Sequence, residues 1–95
     1  MNSKILDKVG ILASESEFKL VKKVLSKGEL IEKHNHPESK VLFTVVKGEI
    51  DVVLNDDENF RVKATQVLSF DGNNYLSATV SEDSEVLITL INKTR

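Results

Sequence analysis

The 95 residues suffice for one domain, and the proportions of hydrophobic (40%) and charged (29%) residues are ordinary for a globular protein. Thirteen basic and 15 acidic side chains give a net charge of −2 and are spread along the chain, so we expect no nucleic-acid binding. Without cysteine there can be no disulfide or thiolate-ligated zinc, which favours a cytoplasmic location. No apolar run approaches the roughly 18 residues of a membrane span, the N-terminus does not resemble a signal peptide, and no membrane partner is expected.

Residues 1–17 form an N-terminal segment that precedes the region of regular periodicity. Their aliphatic side chains could form one helical turn or a short strand. Because this apolar segment lies outside the expected core, we predict a strand that pairs with a second protomer, so the expected assembly is a homodimer. The aliphatic residues concerned are Ile5, Leu6, Val9, Ile11 and Leu12.

Residues 18–95 have a periodicity of two and many β-branched residues, which is typical of strands. Clusters of Gly, Asn, Asp and Ser separate the apolar segments and predict turns. Many short strands at this spacing favour a sandwich or closed barrel, and closure would remove exposed sheet edges. We therefore predict an all-β barrel with strands at 18–25, 28–36, 41–47, 49–55, 59–63, 66–70, 75–80 and 85–92.

The segment GELIEKHNHPESKVLFTVVKGE, residues 28–49, contains both histidines of the chain. Side chains two residues apart on a strand point to the same face, so His34 and His36 share a direction. If that face is the barrel interior, the two imidazoles converge. Neutral imidazole suits divalent transition metals, so the pair is a candidate metal site.

The spacing of Gly28, His34, His36 and Gly48 resembles the first signature of the cupin superfamily. That signature is a glycine, five residues, His-x-His, three or four residues, a glutamate, six residues and a glycine. The resemblance covers roughly residues 18–93 and implies a small double-stranded β-helix, a jelly-roll-like barrel. It also implies a divalent metal held by the two histidines, a glutamate from the next strand and a histidine from a second signature.

This sequence departs from the superfamily at both remaining ligand positions. The glutamate position is Val41. In the second signature only Gly72 matches, the proline position is Phe70, and the histidine position is Tyr75 or, with a shift of one residue, Leu76. The resemblance therefore implies a degenerate metal site.

Two carboxylates are candidates to complete a weak metal site with the histidines. Glu32 has the same strand parity as His34, and Glu38 follows Pro37. Most such carboxylates face water, and the alternative for the histidines is that their rings are partly solvated beside the turn. The expected cofactor is therefore none, or a weakly bound divalent transition metal.

The replacements at the lost ligand positions predict an apolar ligand pocket. The alternative is that the same side chains fill the barrel core, as they often do in small barrels. Among them, a buried Tyr75 phenol would need a hydrogen-bond partner and could offer one to a ligand. The predicted pocket residues are Val41, Phe43, Val45, Phe70, Tyr75 and Leu76.

The leading functional hypothesis is a homodimeric protein that binds a small molecule or a weakly held divalent metal, without established catalysis. A second hypothesis is a metal-dependent enzyme of the isomerase or oxygenase type that uses His34 and His36. A third is a non-catalytic structural or regulatory partner with a solid barrel. Nothing else in the sequence marks a nucleophile with its base or a phosphate-binding loop.

Overall fold

The computed structural model describes residues 3–93 and contains seven strands in that range, which confirms the all-β prediction. Within it there is no helix of the length and apolar character that a membrane crossing requires. The strands are β1 (Gly10–Ser14), β2 (Phe18–Leu25), β3 (Leu30–His34), β4 (Ser39–Leu54), β5 (Glu58–Lys63), β6 (Val67–Asp71) and β7 (Leu76–Asn92).

The two long strands β4 and β7 pair antiparallel along their whole length, and both pass from one sheet into the other. Residues 39–47 of β4 and 84–92 of β7 form the centre of a first sheet, with β6 on one side and β2 and β1 on the other. Residues 49–54 and 76–82 form the centre of a second sheet, flanked by β5 and β3. The result is a pair of packed antiparallel sheets that share their two central strands.

The places where β4 and β7 change sheet were predicted as breaks between separate strands, and the structure corrects this to bends within continuous strands. At the bend of β4, Gly48 has a φ of 91°, and a Cβ at that position would overlap with Asp83 and Ser84. The buried Ser84 hydroxyl accepts a hydrogen bond from the Glu49 N–H (3.1 Å) and donates one to the Glu82 carbonyl oxygen (2.6 Å). The turn-forming residues of the sequence therefore bend the strands here instead of ending them.

Part of the N-terminal segment is a strand and not a helical turn. β1 pairs antiparallel with β2 of the same chain, with Gly10 opposite Lys22 and Ser14 opposite Lys19. β1 is the last strand on its side of the first sheet. Pairing of this segment with a second protomer stays a prediction.

The core lies between the two sheets and is built from alternate residues of β4 and β7. Along β4 every second side chain from Val41 to Val45 and from Ile50 to Leu54 is buried, as the period of two requires. Inward positions pair across the first sheet, so that Val41 lies opposite Leu90, Phe43 opposite Ile88 and Val45 opposite Val86. The buried apolar residues are Val41, Phe43, Val45, Ile50, Val52, Leu54, Val62, Phe70, Leu76, Ala78, Val80 and Val86.

Candidate functional site

A cavity of about 200 Å³ lies at one end of the interior, between the two sheets. The Val41–Leu90 and Phe43–Ile88 pairs line it, whereas the next inward pair, Val45 and Val86, does not. The cavity therefore occupies the end of the interior that is remote from the bends. Its lining is Lys19, Val21, Lys23, Ile31, His34, His36, Val41, Phe43, Leu76, Ile88 and Leu90.

β2 contributes three lining residues at alternate positions, Lys19, Val21 and Lys23. Side chains at positions i, i+2 and i+4 of a strand share one face, which places both lysines on the interior side of the sheet. The strand lies beside β7, with Lys19 opposite Leu90 and Lys23 opposite Val86. Two lysine side chains, of which Lys23 is exposed, therefore lie at the edge of an otherwise apolar part of the lining.

β3 contributes Ile31 and His34, which a regular strand would point to opposite faces. An irregularity in the pairing of β3 with β7 between these two residues shifts the alternation, so both reach the cavity. Glu32, which shares strand parity with His34 in sequence, is exposed and does not line the cavity. The expectation, from strand alternation alone, that the Glu32 side chain points the same way as His34 is therefore wrong.

His34 and His36 are both half-buried and lie together in the cavity wall. Their ring centroids are 4.8 Å apart, and the rings are nearly perpendicular, at 89°. The Nδ1 atom of His34 is 2.7 Å from the carbonyl oxygen of Glu32. Because a carbonyl oxygen only accepts, Nδ1 carries the proton, which leaves Nε2 as the nitrogen available to a partner.

Backbone hydrogen bonds to Gly72 hold the segment that carries His36. The His36 N–H donates to the Gly72 carbonyl oxygen, and the Gly72 N–H donates to the Ser39 carbonyl oxygen, both at 2.8 Å. A Cβ at Gly72 would overlap with the carbonyl oxygens of His36 and Ser39. The glycine that matches the second signature therefore allows the close approach that positions His36.

Burial lowers the pKa of His36 below its ordinary value of 6.5, and the positive charges of His34 and Lys19 lower it further. The imidazole of His36 is therefore held in its neutral form over a wider pH range than a free histidine. No carboxylate offsets these effects in the cavity lining that the structure describes.

Three of the six predicted pocket residues line the cavity, namely Val41, Phe43 and Leu76. Val45 and Phe70 lie outside it, buried in the apolar core. Tyr75 is 46% exposed, with the Nζ atom of Lys33 5.7 Å from its ring centroid, so its phenol is not a buried group.

The pairing of β7 fixes the register that the sequence left open. Leu76 lies opposite His34 of β3 and opposite Leu54 of β4, and its side chain is buried. Of the two residues considered for the histidine position of the second signature, Leu76 therefore faces the interior and Tyr75 does not.

The donor atoms of this cavity do not fit a dedicated transition-metal centre. Within residues 3–93, no group of three or more His, Cys, Asp and Glu side chains is arranged to hold a metal ion. Neither Glu32 nor Glu38 joins the histidines in the lining. Lys19 and Lys23 add positive charge to the same cavity, and a divalent cation would be repelled by it.

Sequence reasoning missed Lys19 and Lys23 as site residues, together with four aliphatic lining residues: Val21, Ile31, Ile88 and Leu90. The sequence shows that Lys19, Val21 and Lys23 share one face of a strand. Which face of β2 points inward depends on its pairing with β7. For a strand in which both faces carry mixed residues, the sequence gives no direct signal of that face.

Comparisons with known proteins identify the fold. No protein-family model and no curated protein matches the chain in sequence. An RmlC-like cupin protein from Desulfovibrio desulfuricans superposes with a TM-score of 0.81 at 22% identity, over 96% of each chain. A conserved protein with a double-stranded β-helix domain from Klebsiella pneumoniae gives a TM-score of 0.81 at 17% identity, over 97% of this chain and 82% of that one. A conserved protein of unknown function from Streptococcus pyogenes superposes with a TM-score of 0.82 at 17% sequence identity. The match covers 100% of this chain and 92% of that one.

The chain therefore has the cupin fold, a small double-stranded β-helix, as its resemblance to the superfamily implied. Identities this low establish the fold and no particular activity. Function has to be argued from the cavity itself.

Proposed function

We propose that the protein binds a small molecule in the cavity between the two sheets, without chemistry at a metal centre. The observation that carries the proposal is a cavity of about 200 Å³ with aliphatic and aromatic walls and a few polar groups, among them Lys19, His34 and His36. Ligand sites usually combine apolar walls with a small number of polar groups that fix orientation. Histidine and lysine can act as acids, bases or nucleophiles, but among the described residues none of the four basic lining side chains is hydrogen-bonded to a nucleophile or to a second acid–base group, so binding is the better-supported function.

The two competing functions have less support from the same lining. A metal-dependent isomerase or oxygenase would require His34 and His36 to be joined by a further ligand, and catalytic sites usually have three from the protein. A structural or regulatory partner with a solid barrel would require a filled interior, whereas Val41 and Phe43 border a cavity.

The binding proposal is tested by filling the cavity from its rim. Val21 on β2 is half-buried and lines the cavity, so Val21→Phe should place a ring inside it. Val24→Phe is the matched control, because Val24 lies on the same strand, is 55% exposed and does not line the cavity. With benzyl alcohol as a neutral probe, amide chemical shifts around Phe43 and Leu90 should respond in the parent and in Val24→Phe, but not in Val21→Phe. Equal responses in all three proteins would contradict binding in this cavity.

Metal content decides between this proposal and the metal-dependent one. Protein purified without a histidine tag should contain substoichiometric metal by elemental analysis, and His34→Ala/His36→Ala should not change that content. One metal ion per chain in the parent, lost in the double variant, would overturn the proposal in favour of a metal protein.

We also propose that the protein is a homodimer in the cytoplasm. The support for dimerisation is that β1 is an edge strand, and that Ile11 in this strand and Val9 just before it are 61% and 65% exposed. Light scattering should give a dimer for the full chain and for a deletion of residues 1–8, which keeps β1. Deletion of residues 1–12 should give a monomer, and a persistent dimer would contradict a role for this segment.

A further inference from the structure

All the titratable side chains that line the cavity are bases. Lys19 and Lys23 come from β2, His34 from β3 and His36 from the segment after it, whereas the lining residues of β4 and β7 are apolar. Among residues 3–93, neither Lys19 nor Lys23 forms an ion pair. The chain as a whole has a net charge of −2, so this positive cavity is a local departure from the overall charge.

The two ammonium groups are placed differently with respect to the histidines. Lys19 is close enough to His36 for its charge to act on that ring, and it lies opposite Leu90, in the row of inward residues that includes Val41. Lys23 lies two rows away, opposite Val86. An anionic group beside His36 would therefore interact first with Lys19 and only at longer range with Lys23.

The remaining lining limits the size and polarity of the ligand. An engineered apolar cavity of about 150 Å³ in another protein binds benzene, so about 200 Å³ corresponds to a ligand of about six to ten non-hydrogen atoms. Beside the lysines on the first sheet lie Phe43, Ile88 and Leu90, and Leu76 lies on the second sheet; none of these side chains offers a hydrogen bond. Such walls favour a hydrocarbon body over a sugar or another polyhydroxylated ligand.

From this arrangement we infer that the ligand is a small amphipathic monocarboxylate, with its carboxylate beside Lys19 and the ring of His36 and its hydrocarbon body against Phe43 and Leu76. The inference rests on the proposed function and specifies the ligand class for the same cavity. Lys19 is the principal charged partner, and Lys23 contributes to the positive field at the rim.

The test compares charged and neutral molecules of the same shape. Affinities of the full chain for benzoate, benzamide, hexanoate and hexanamide are measured by NMR titration at low salt. At least one acid should bind about five- to tenfold more tightly than its amide, the range expected for one or two partly exposed ion pairs. Raising the ionic strength should weaken binding of the acid and leave binding of the amide unchanged.

Variants that remove single charges from β2 then show which face of this strand causes the tighter binding of the acid. Lys19→Gln should weaken binding of the acid about fivefold, and Lys23→Gln about twofold. Lys22→Gln is the matched control, because Lys22 is not in the cavity lining and its Nζ atom donates to the Asp7 carbonyl oxygen. That variant should bind the acid and the amide as the parent does, and in Lys19→Gln the loss of affinity for the acid should exceed any change for the amide.

The possible failures are distinguishable. Acids and amides that bind equally, or an effect of Lys22→Gln as large as that of Lys19→Gln, would overturn the carboxylate inference and leave small-molecule binding standing. If none of the four probes and no neutral probe binds, the proposed function fails as well.

Discussion

The two ends of the interior both contain fully buried side chains but are packed differently. At the end where the long strands change sheet, which we call the crossing end, Val45 and Val86 are fully buried in the core cluster. At the other end, which we call the open end, Val41 and Phe43 are also fully buried but line the cavity. The cavity surface that a water molecule can reach is therefore supplied by half-buried lining residues such as Val21 and His34, and Val41 and Phe43 lie just beneath it. A pocket and a solid core, considered as alternatives for the whole barrel, are each present in one half.

The largest effect is expected from a methyl group added at the crossing end. Gly48→Ala forces an alanine into a φ of 91° and against the backbone of Asp83 and Ser84, neither of which can move without disturbing both sheets. We expect a loss of about 3 kcal/mol or more in the free energy of unfolding, measured by urea denaturation.

Gly28→Ala is the matched control for that variant, because Gly28 has nearly the same φ, 92°, and nothing within 4 Å of an added Cβ. It should cost only about 1–2 kcal/mol, the strain of the backbone conformation alone. Equal losses in the two variants would mean that the close approach at the crossing end contributes nothing.

The second prediction compares the same truncation at the two ends. Val45→Ala should cost about 2–3 kcal/mol, because it removes packed methyl groups and leaves a new void. Val41→Ala should cost about 1 kcal/mol less, because the space that it vacates would join the adjoining cavity, where half-buried neighbours such as Ile88 can move to fill part of it. If both losses were equal in urea denaturation, the open end would be as well packed as the crossing end.

The sequence predicted the fold better than the site for a physical reason. Alternation over 41–47 and 49–55 fixed the inward positions of β4, because a strand buried on one face tolerates no shift of register. The same alternation predicted a strand at 18–25, and the structure has β2 at these residues. The continuity of β4 through Gly48 was missed, because a glycine with positive φ can end a strand or bend it.

The site depended on features that lie between strands. Whether Val41 or Val45 borders the cavity is decided by how far the two sheets separate, which no local pattern encodes. The irregularity of β3 moved Glu32 away from His34, and the pairing of β2 with β7 brought in Lys19. His34 and His36 were found because their spacing resembles a known signature, and nothing comparable marks the lysines.

A third and smaller effect is expected from the titration of His36 at the open end. Its pKa is lowered from 6.5, so below pH 6.5 the unfolded chain binds more protons than the folded one. Stability should therefore fall as the pH drops from 6.5 towards the folded-state pKa and then level off with respect to this group. His36→Gln should remove that part of the pH dependence of the melting temperature.

The same titration can be followed directly in the Hε1 NMR signal of His36. Its midpoint should lie below 6.5 in the parent and move upward in Lys19→Gln, because one of the positive charges that lower the pKa is removed. A midpoint at or above 6.5 in the parent would show that the open end is neither as buried nor as positive as the geometry indicates.

The smallest effect is expected at Asp51, an ionisable group on the second sheet whose pKa is also lowered, but for the opposite reason. The Ser81 hydroxyl donates to its carboxylate at 2.7 Å, and the Arg61 Nε donates at 2.9 Å, so here the charged form is stabilised. This contribution to stability is present above the ordinary pKa of 3.8 and is lost as the pH falls through the folded-state pKa of Asp51.

Because the Asp51–Arg61 pair is exposed, Asp51→Asn should cost less than about 1 kcal/mol at pH 7, and the difference from the parent should vanish in strong acid. Urea denaturation at a series of pH values from 7 into the acid range tests both statements. A difference of the same size at every pH would assign the loss to altered packing and not to the charge. A difference that vanishes in acid would instead show that the two groups titrate for different reasons, His36 because it is buried and Asp51 because of its hydrogen-bond partners.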